Sequence, residues 1–253
     1  MGFTACAFCD ATGETTKITK EHLYSEWINL VLPASVVGPN ITVEWTDHVS
    51  GAFRTRPVRE LASEQVRCVC HRCNNGWMSK LDDQVRPLLE PMILGKPTTL
   101  SALDQLTVAT WAAMKAAVFE FAWDNPPVYE QADREIIRTQ QRPPATVRVA
   151  LAAIQSQGFP LRAISRGIVG GGRAAQCLTL QIGCLVMQIL GGPLAGAHGF
   201  HTVGGVRPRH VMVYPPALSG QRWPPTEVHD DASLLASTEP WGGPGGQVSG
   251  PRV

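Results

Sequence analysis

The sequence predicts an α+β protein, and three observations carry that prediction. Two CxxC pairs frame the first third of the chain, one long helical stretch follows them, and several apolar, partly β-branched runs separated by glycine-rich turns come last. The 253 residues are enough for one large domain or two ordinary ones, and a hydrophobic content of 44% can fill a core. With a net charge of +1 there is no strong overall positive field, so any contact with a polyanion has to come from a local basic patch. No apolar run reaches the length needed to span a bilayer, and the start MGFTACAFCD lacks the charged-then-apolar order of a secretion signal. The expectation is a cytoplasmic protein.

Seven cysteines are an odd number, and five of them fall in two tight clusters, which suits metal ligation in a reducing compartment better than a disulfide framework. Cys6-Ala-Phe-Cys9 and Cys70-His-Arg-Cys73 each have the spacing that turns two thiolates toward one tetrahedral ion. The predicted ligands of a structural zinc are therefore Cys6, Cys9, Cys70 and Cys73. The long insert between the pairs is tolerable because loop entropy grows only slowly with length. Cys68 and His71 are weaker ligand candidates within CVCHRC. Alternation along a strand puts Cys68 on the face of Cys70, packed beneath the knuckle. Cys177 and Cys184 lie in an apolar run and read as buried hydrophobes.

Residues 1–95 form the first predicted module, since prolines and Gly95 punctuate the run KLDDQVRPLLEPMILGKP. Residues 96–239 form a second, α+β module. Within it, residues 101–123 read as a helix with Ser101 as its cap, because Leu103, Leu106, Ala109, Ala113, Ala117 and Phe121 recur at helical spacing. EQADREIIRTQQ predicts a second helix, whereas TVRVALAAI (146–154) fits either a strand or a helix. LRAISRGIVG, AAQCLTLQIGCLVMQIL and RHVMVYP predict strands of an antiparallel sheet packed on the long helix. Residues 240–253, rich in glycine and proline, are expected to be a disordered tail.

CAFC, then Glu21-His22 after Lys20, then CHRCNNGWMSKL resemble, in that order, the zinc-knuckle branch of the HNH endonucleases of bacteria and their phages. The resemblance covers residues 1–95. It implies a ββα-metal fold in which the knuckles staple a hairpin to a helix, and it implies metal-dependent hydrolysis of DNA. Carried over, His22 is the general base, while Glu21 and Asn74 hold a catalytic Mg²⁺ or Mn²⁺ through oxygen. The structural zinc takes no part in the chemistry. This chain has Glu21 where many members have Asp, and Gln65 where the motif's central Asn is expected.

Successive side chains on a strand point to opposite faces, so a shared site for Glu21 and His22 requires a twist, a bulge or a strand end. Asn74 or Asn75 is a suitable start for the following helix, with Trp77 and Leu81 on its buried face. The segment PASVVGPNITVEWTDHVSGAF predicts an inserted hairpin or two. Arg54, Arg56 and Arg59, with Arg67 and Arg72, are the candidate phosphate contacts, and a solvated strand face explains them equally well. His48 reads as a turn residue, and His198, His201, His210 and His229 lack metal-ligand spacing. Gly170–Gly172 lacks the Lys-Ser/Thr pair of a phosphate loop and reads as a turn. A catalytically silent zinc module that binds nucleic acid or a protein partner is the competing reading.

Overall fold

The computed structural model of the chain describes residues 5–11, 17–32, 41–46, 53–58, 64–122, 127–156, 160–170, 173–193, 195, 209–238 and 247–249. Strand β1 (Ile18–His22) is followed by a short helix α1 (Ile28–Val31), a hairpin of β2 (Ile41–Thr46) and β3 (Phe53–Val58), and strand β4 (Gln65–Cys70). β1 and β4 pair antiparallel, with an irregularity between Thr19 and Lys20. The inserted segment supplies the hairpin expected of it, β2 pairing antiparallel with β3.

From β4 the chain turns directly into a helix. α2 (His71–Cys73), a π-helical turn (Asn74–Met78) and α3 (Ser79–Ile93) run on without a break. The helix therefore starts earlier than Asn74 or Asn75, the expected caps. The cap is Cys70, whose sulfur accepts the Cys73 N–H at 3.4 Å, a role that a thiol or thiolate at the N-cap position fills like an oxygen. Asn74 is freed for another contact, described below. Leu81 is buried as expected, and the half-buried Trp77 stacks edge-on against Phe8 of the first knuckle, ring centroids 5.1 Å apart.

Strand β5 (Thr98–Leu100) leads into α4 (Ala102–Phe119), extended by a 3-10 turn over Glu120–Ala122. Its start is the predicted one: Ser101 and Asp104 form a reciprocal capping box. α5 (Gln131–Gln140) follows, then β6 (Arg148–Ala153), β7 (Leu161–Gly170), β8 (Arg173–Ile182), β9 (Leu185–Gly191), β10 (Val211–Tyr214), β11 (Gln221–Trp223), α6 (Asp231–Ser237) and β12 (Gln247–Ser249). The open segment 146–154 thus contains a strand. β6 is buried along almost its whole length between β10 and β9, where a continuous apolar run needs no alternation.

The sheet has the order β10-β6-β9-β8-β7-β12, all antiparallel, and packs on α4. β11 pairs separately with β5. Part of the expected tail, β12, lines the edge of β7. The remainder of 240–253, with His48, Arg59, His198, His201 and Gly171–Gly172, lies outside the described residues.

One apolar cluster runs from Phe8 and Tyr24 through Val85, Leu89 and Met92 to Trp111, Met114, Leu180 and Ile189. The core is therefore continuous across Gly95, and the two predicted modules share it. A hairpin turn locks them further. Gly183 sits at φ +56°, Cys184 N–H donates to the Ile93 carbonyl at 3.0 Å, and a side chain at 183 would run into that same carbonyl. Among the described residues no helix is long and apolar enough to cross a membrane.

Candidate functional site

The first knuckle is seated on β4: Ala7 N–H donates to the Cys68 carbonyl at 2.7 Å, and Cys6 and Asp10 close the knuckle through a backbone bond of 3.0 Å. The second knuckle spans the joint between β4 and the helix. The sulfur atoms of Cys6, Cys9, Cys70 and Cys73 consequently all lie within 4.8 Å of one another, the only such group of potential metal ligands among the described residues. The Cys9–Cys70 sulfurs are 3.7 Å apart, close to the edge of about 3.8 Å that a tetrahedron with metal–sulfur bonds of about 2.3 Å requires.

These four thiols could hold a structural metal such as zinc. Without a cation, the thiols of Cys6, Cys9 and Cys73 ionise unequally. A hydrogen bond from Cys73 brings Cys6 down to about 4 against its desolvation, burial pushes Cys9 up, and Cys73 is pushed up by that same bond and by burial. A divalent ion removes this conflict by favouring all four thiolates. Cys68 is fully buried, and burial followed by the nearby Glu21 charge drives its thiol up, as befits a packing residue.

At the opposite end of the β1/β4 pair, His22 stands directly across from Gln65, their Nε2 atoms 2.6 Å apart. The two ends of the Gln65 amide are interchangeable at such a contact. With Oε1 toward the ring, His22 Nε2 carries the proton and Nδ1 holds the lone pair. Asn74 lies one turn into the helix and reaches back to β1, donating from Nδ2 to Thr19 Oγ1 at 3.1 Å and to the Lys20 carbonyl at 2.9 Å. The structure therefore brings Asn74 to β1 and Gln65 to His22.

Glu21 faces the other way. It is 6% exposed and pairs through Oε1, at 2.8 Å, with the ammonium of Lys115, which α4 delivers fully buried. Lys115 also donates to the His22 carbonyl at 3.0 Å and lies over the Trp111 ring, 5.9 Å from its centroid. Burial alone would depress the Lys115 ammonium, but the carboxylates of Glu21 and Asp82 outweigh it and hold its pKa above the ordinary lysine value. Asp82 Oδ1 in turn accepts from Trp111 Nε1 at 2.6 Å and from Ser25 Oγ at 2.5 Å. Glu21, Ser25, Asp82, Trp111 and Lys115 thus form one buried polar network binding β1 to both long helices.

Lys115, Asp82 and Ser25 did not emerge from the motif. The available signal was a lone lysine in the middle of an otherwise apolar helical stretch, which becomes informative once burial is known. Arg54 and Arg56 lie on β3, paired with Trp45 and Val43 and apart from the β1/β4 pair in sheet topology. Arg72 is exposed in the first helical turn, where the neighbouring His71 ring is met by Asn75 at 2.9 Å. Cys177 is buried in the sheet, and Cys184 is half-buried at the Gly183 turn. His229 is buried, contacts Ser233 and packs edge-on against His210. Compared with known proteins, the chain matches no family model, no curated protein and no solved structure.

Proposed function

We propose that the zinc-stapled strand pair and helix form an HNH-type module of the ββα-metal fold, and that the chain is a metal-dependent endonuclease hydrolysing phosphodiester bonds of DNA. The observation that supports this reading is the joint placement of the motif residues. Two antiparallel strands run into a helix, four thiols tie the joint, His22 meets Gln65 across the strands, and Asn74 is tied back to β1.

In this reading Gln65 holds the imidazole by Nε2, and Nδ1 takes the proton from the attacking water. The zinc on Cys6, Cys9, Cys70 and Cys73 keeps strand and helix in register and stays out of the reaction. Oxygen donors for Mg²⁺ or Mn²⁺ would come from Asn74 and Glu21. Asn74 spends its amide nitrogen on β1, which leaves Oδ1 as the ligand atom, whereas Glu21 would have to turn from its buried pairing with Lys115 to reach an ion on the His22 face. When bound, such an ion supplies Lewis-acid stabilisation of the charge developing on the phosphate.

One observation favours a second reading. The Glu21 carboxylate is already neutralised by a buried ammonium, which lowers its appetite for an external cation. On that reading the same scaffold binds DNA or a protein partner without hydrolysis. Incubating the zinc-loaded protein with plasmid in Mg²⁺, Mn²⁺ or EDTA, beside His22→Ala, separates the two. Nicking that needs the added ion and disappears in the variant supports the nuclease. No nicking, or equal nicking by both proteins, refutes it.

A further inference from the structure

We propose that the exposed face of the β1/β4 pair, built on Lys20 and Arg67, seats the phosphate backbone of DNA and leads it toward His22. The inference rests on the nucleic-acid reading above and is independent of hydrolysis. Residues paired across an antiparallel ladder share a face, and the register sets Lys20 against Arg67 and His22 against Gln65. Lys20, Arg67 and Gln65 are exposed. The cationic pair therefore shares one face with the histidine, Lys20 about 7 Å from His22 along the strand.

Like charges directly opposite each other on a sheet repel, so the Lys20/Arg67 pairing costs stability unless an anion relieves it. No carboxylate of the described residues does so. Among the described residues, Arg67 Nη1 reaches only the Ile18 carbonyl, at 3.3 Å, and the Lys20 side chain meets no partner. The acid of β1, Glu21, is turned to the opposite face and neutralised by Lys115. Of the other described acids, Asp10 is in the first knuckle, and Glu64 precedes β4, its carbonyl accepting from Leu23 N–H. In a chain of net charge +1, an unrelieved cationic pair beside a histidine is a local feature that matches a polyanion's repeating phosphates. The arginines on β3 are not needed for this contact.

The test is binding of the zinc-loaded full chain to a short fluorescent DNA duplex without added Mg²⁺ or Mn²⁺, as a function of salt. At about 50 mM salt the Lys20→Glu/Arg67→Glu variant is expected to bind at least about tenfold more weakly, with the log–log salt slope reduced by about 2. Lys20→Gln/Arg67→Gln should fall between it and the wild type, and Arg222→Glu, exposed on β11, should bind unchanged. All variants should keep the wild-type zinc content, since the mutated side chains lie on the solvent face. The proposal is overturned if the double-reversed protein, zinc-loaded, binds with wild-type affinity and slope, or if the wild type does not bind duplex. Duplex binding lost in the variants while plasmid nicking is absent throughout removes the hydrolytic reading and leaves this surface standing.

Discussion

Replacing Lys115 by Met probes the buried network most directly. The pair is short, 2.8 Å, with side chains 0% and 7% exposed, so solvent screens it little. Met matches the lysine stem in length and leaves the Glu21 carboxylate buried without its cation. Removing one partner of a buried pair costs about 3–5 kcal/mol, because the stranded charge keeps its full desolvation penalty. The His22 carbonyl loses its donor as well. Against a total stability of about 5–15 kcal/mol, that is a large share of what holds the fold. The reverse logic applies to Glu21→Gln/Lys115→Met, in which neither member of the pair carries a charge and Asp82 keeps its Trp111 and Ser25 donors. Its cost should be within about 1.5 kcal/mol of wild type, far below the sum of the single changes.

Urea denaturation of the zinc-loaded proteins at neutral pH, with m-values compared, measures all four corners of the cycle. A Lys115→Met cost below about 1 kcal/mol, or additive single costs in the double variant, would refute the claim that the pair is buried and coupled. The pH dependence has a defined sign. The folded-state pKa of Lys115 is raised, so the pair's contribution is intact below the ordinary value of 10.5 and is lost only as pH rises through the elevated one.

Cys73→Ser should release the bound metal and destabilise the first knuckle, read as loss of about one zinc per chain in a chelator-release assay; retention of stoichiometric zinc would contradict the four-thiol site. Gly183→Ala should cost about 2–3 kcal/mol in a thermal or urea melt, from the left-handed backbone and the collision with the Ile93 carbonyl, and a change under about 0.5 kcal/mol would contradict that geometry. His229 is held down to about 4 by burial, then by His210 and Arg209, so it folds neutral and the unfolded chain binds the extra proton. Its contribution is full above the ordinary value of 6.5 and falls as pH drops toward about 4. His229→Gln should flatten that part of the urea-midpoint profile, and an unchanged slope would show that other groups dominate it.

Much of the fold was legible in the sequence wherever local pattern and tertiary need agreed. The α4 helix with its Ser101 cap and the strands β7, β8, β9 and β10 all follow from periodicity and turn chemistry that the surrounding structure did not override. Segment 146–154 stayed ambiguous because a short, fully buried apolar run looks the same as strand or helix until its neighbours are known. The helix after the second knuckle was misplaced at its start because cap statistics favour asparagine, whereas the chain used the Cys70 sulfur and sent Asn74 back to β1.

Cysteine spacing by itself determined the four-thiol cluster, since two CxxC pairs can satisfy a tetrahedral ion in essentially one way. The motif order also set Glu21 and His22 behind the first pair and Asn74 directly behind the second, about fifty residues further along the chain. Only the tertiary structure decided which way each of them faces. Strand alternation separates Glu21 from His22 whatever the motif, and the partner that claims Glu21, Lys115, comes from a helix 94 residues away. Contacts at that separation depend on how the sheet packs on α4, and packing is a property of the whole core that no local pattern encodes.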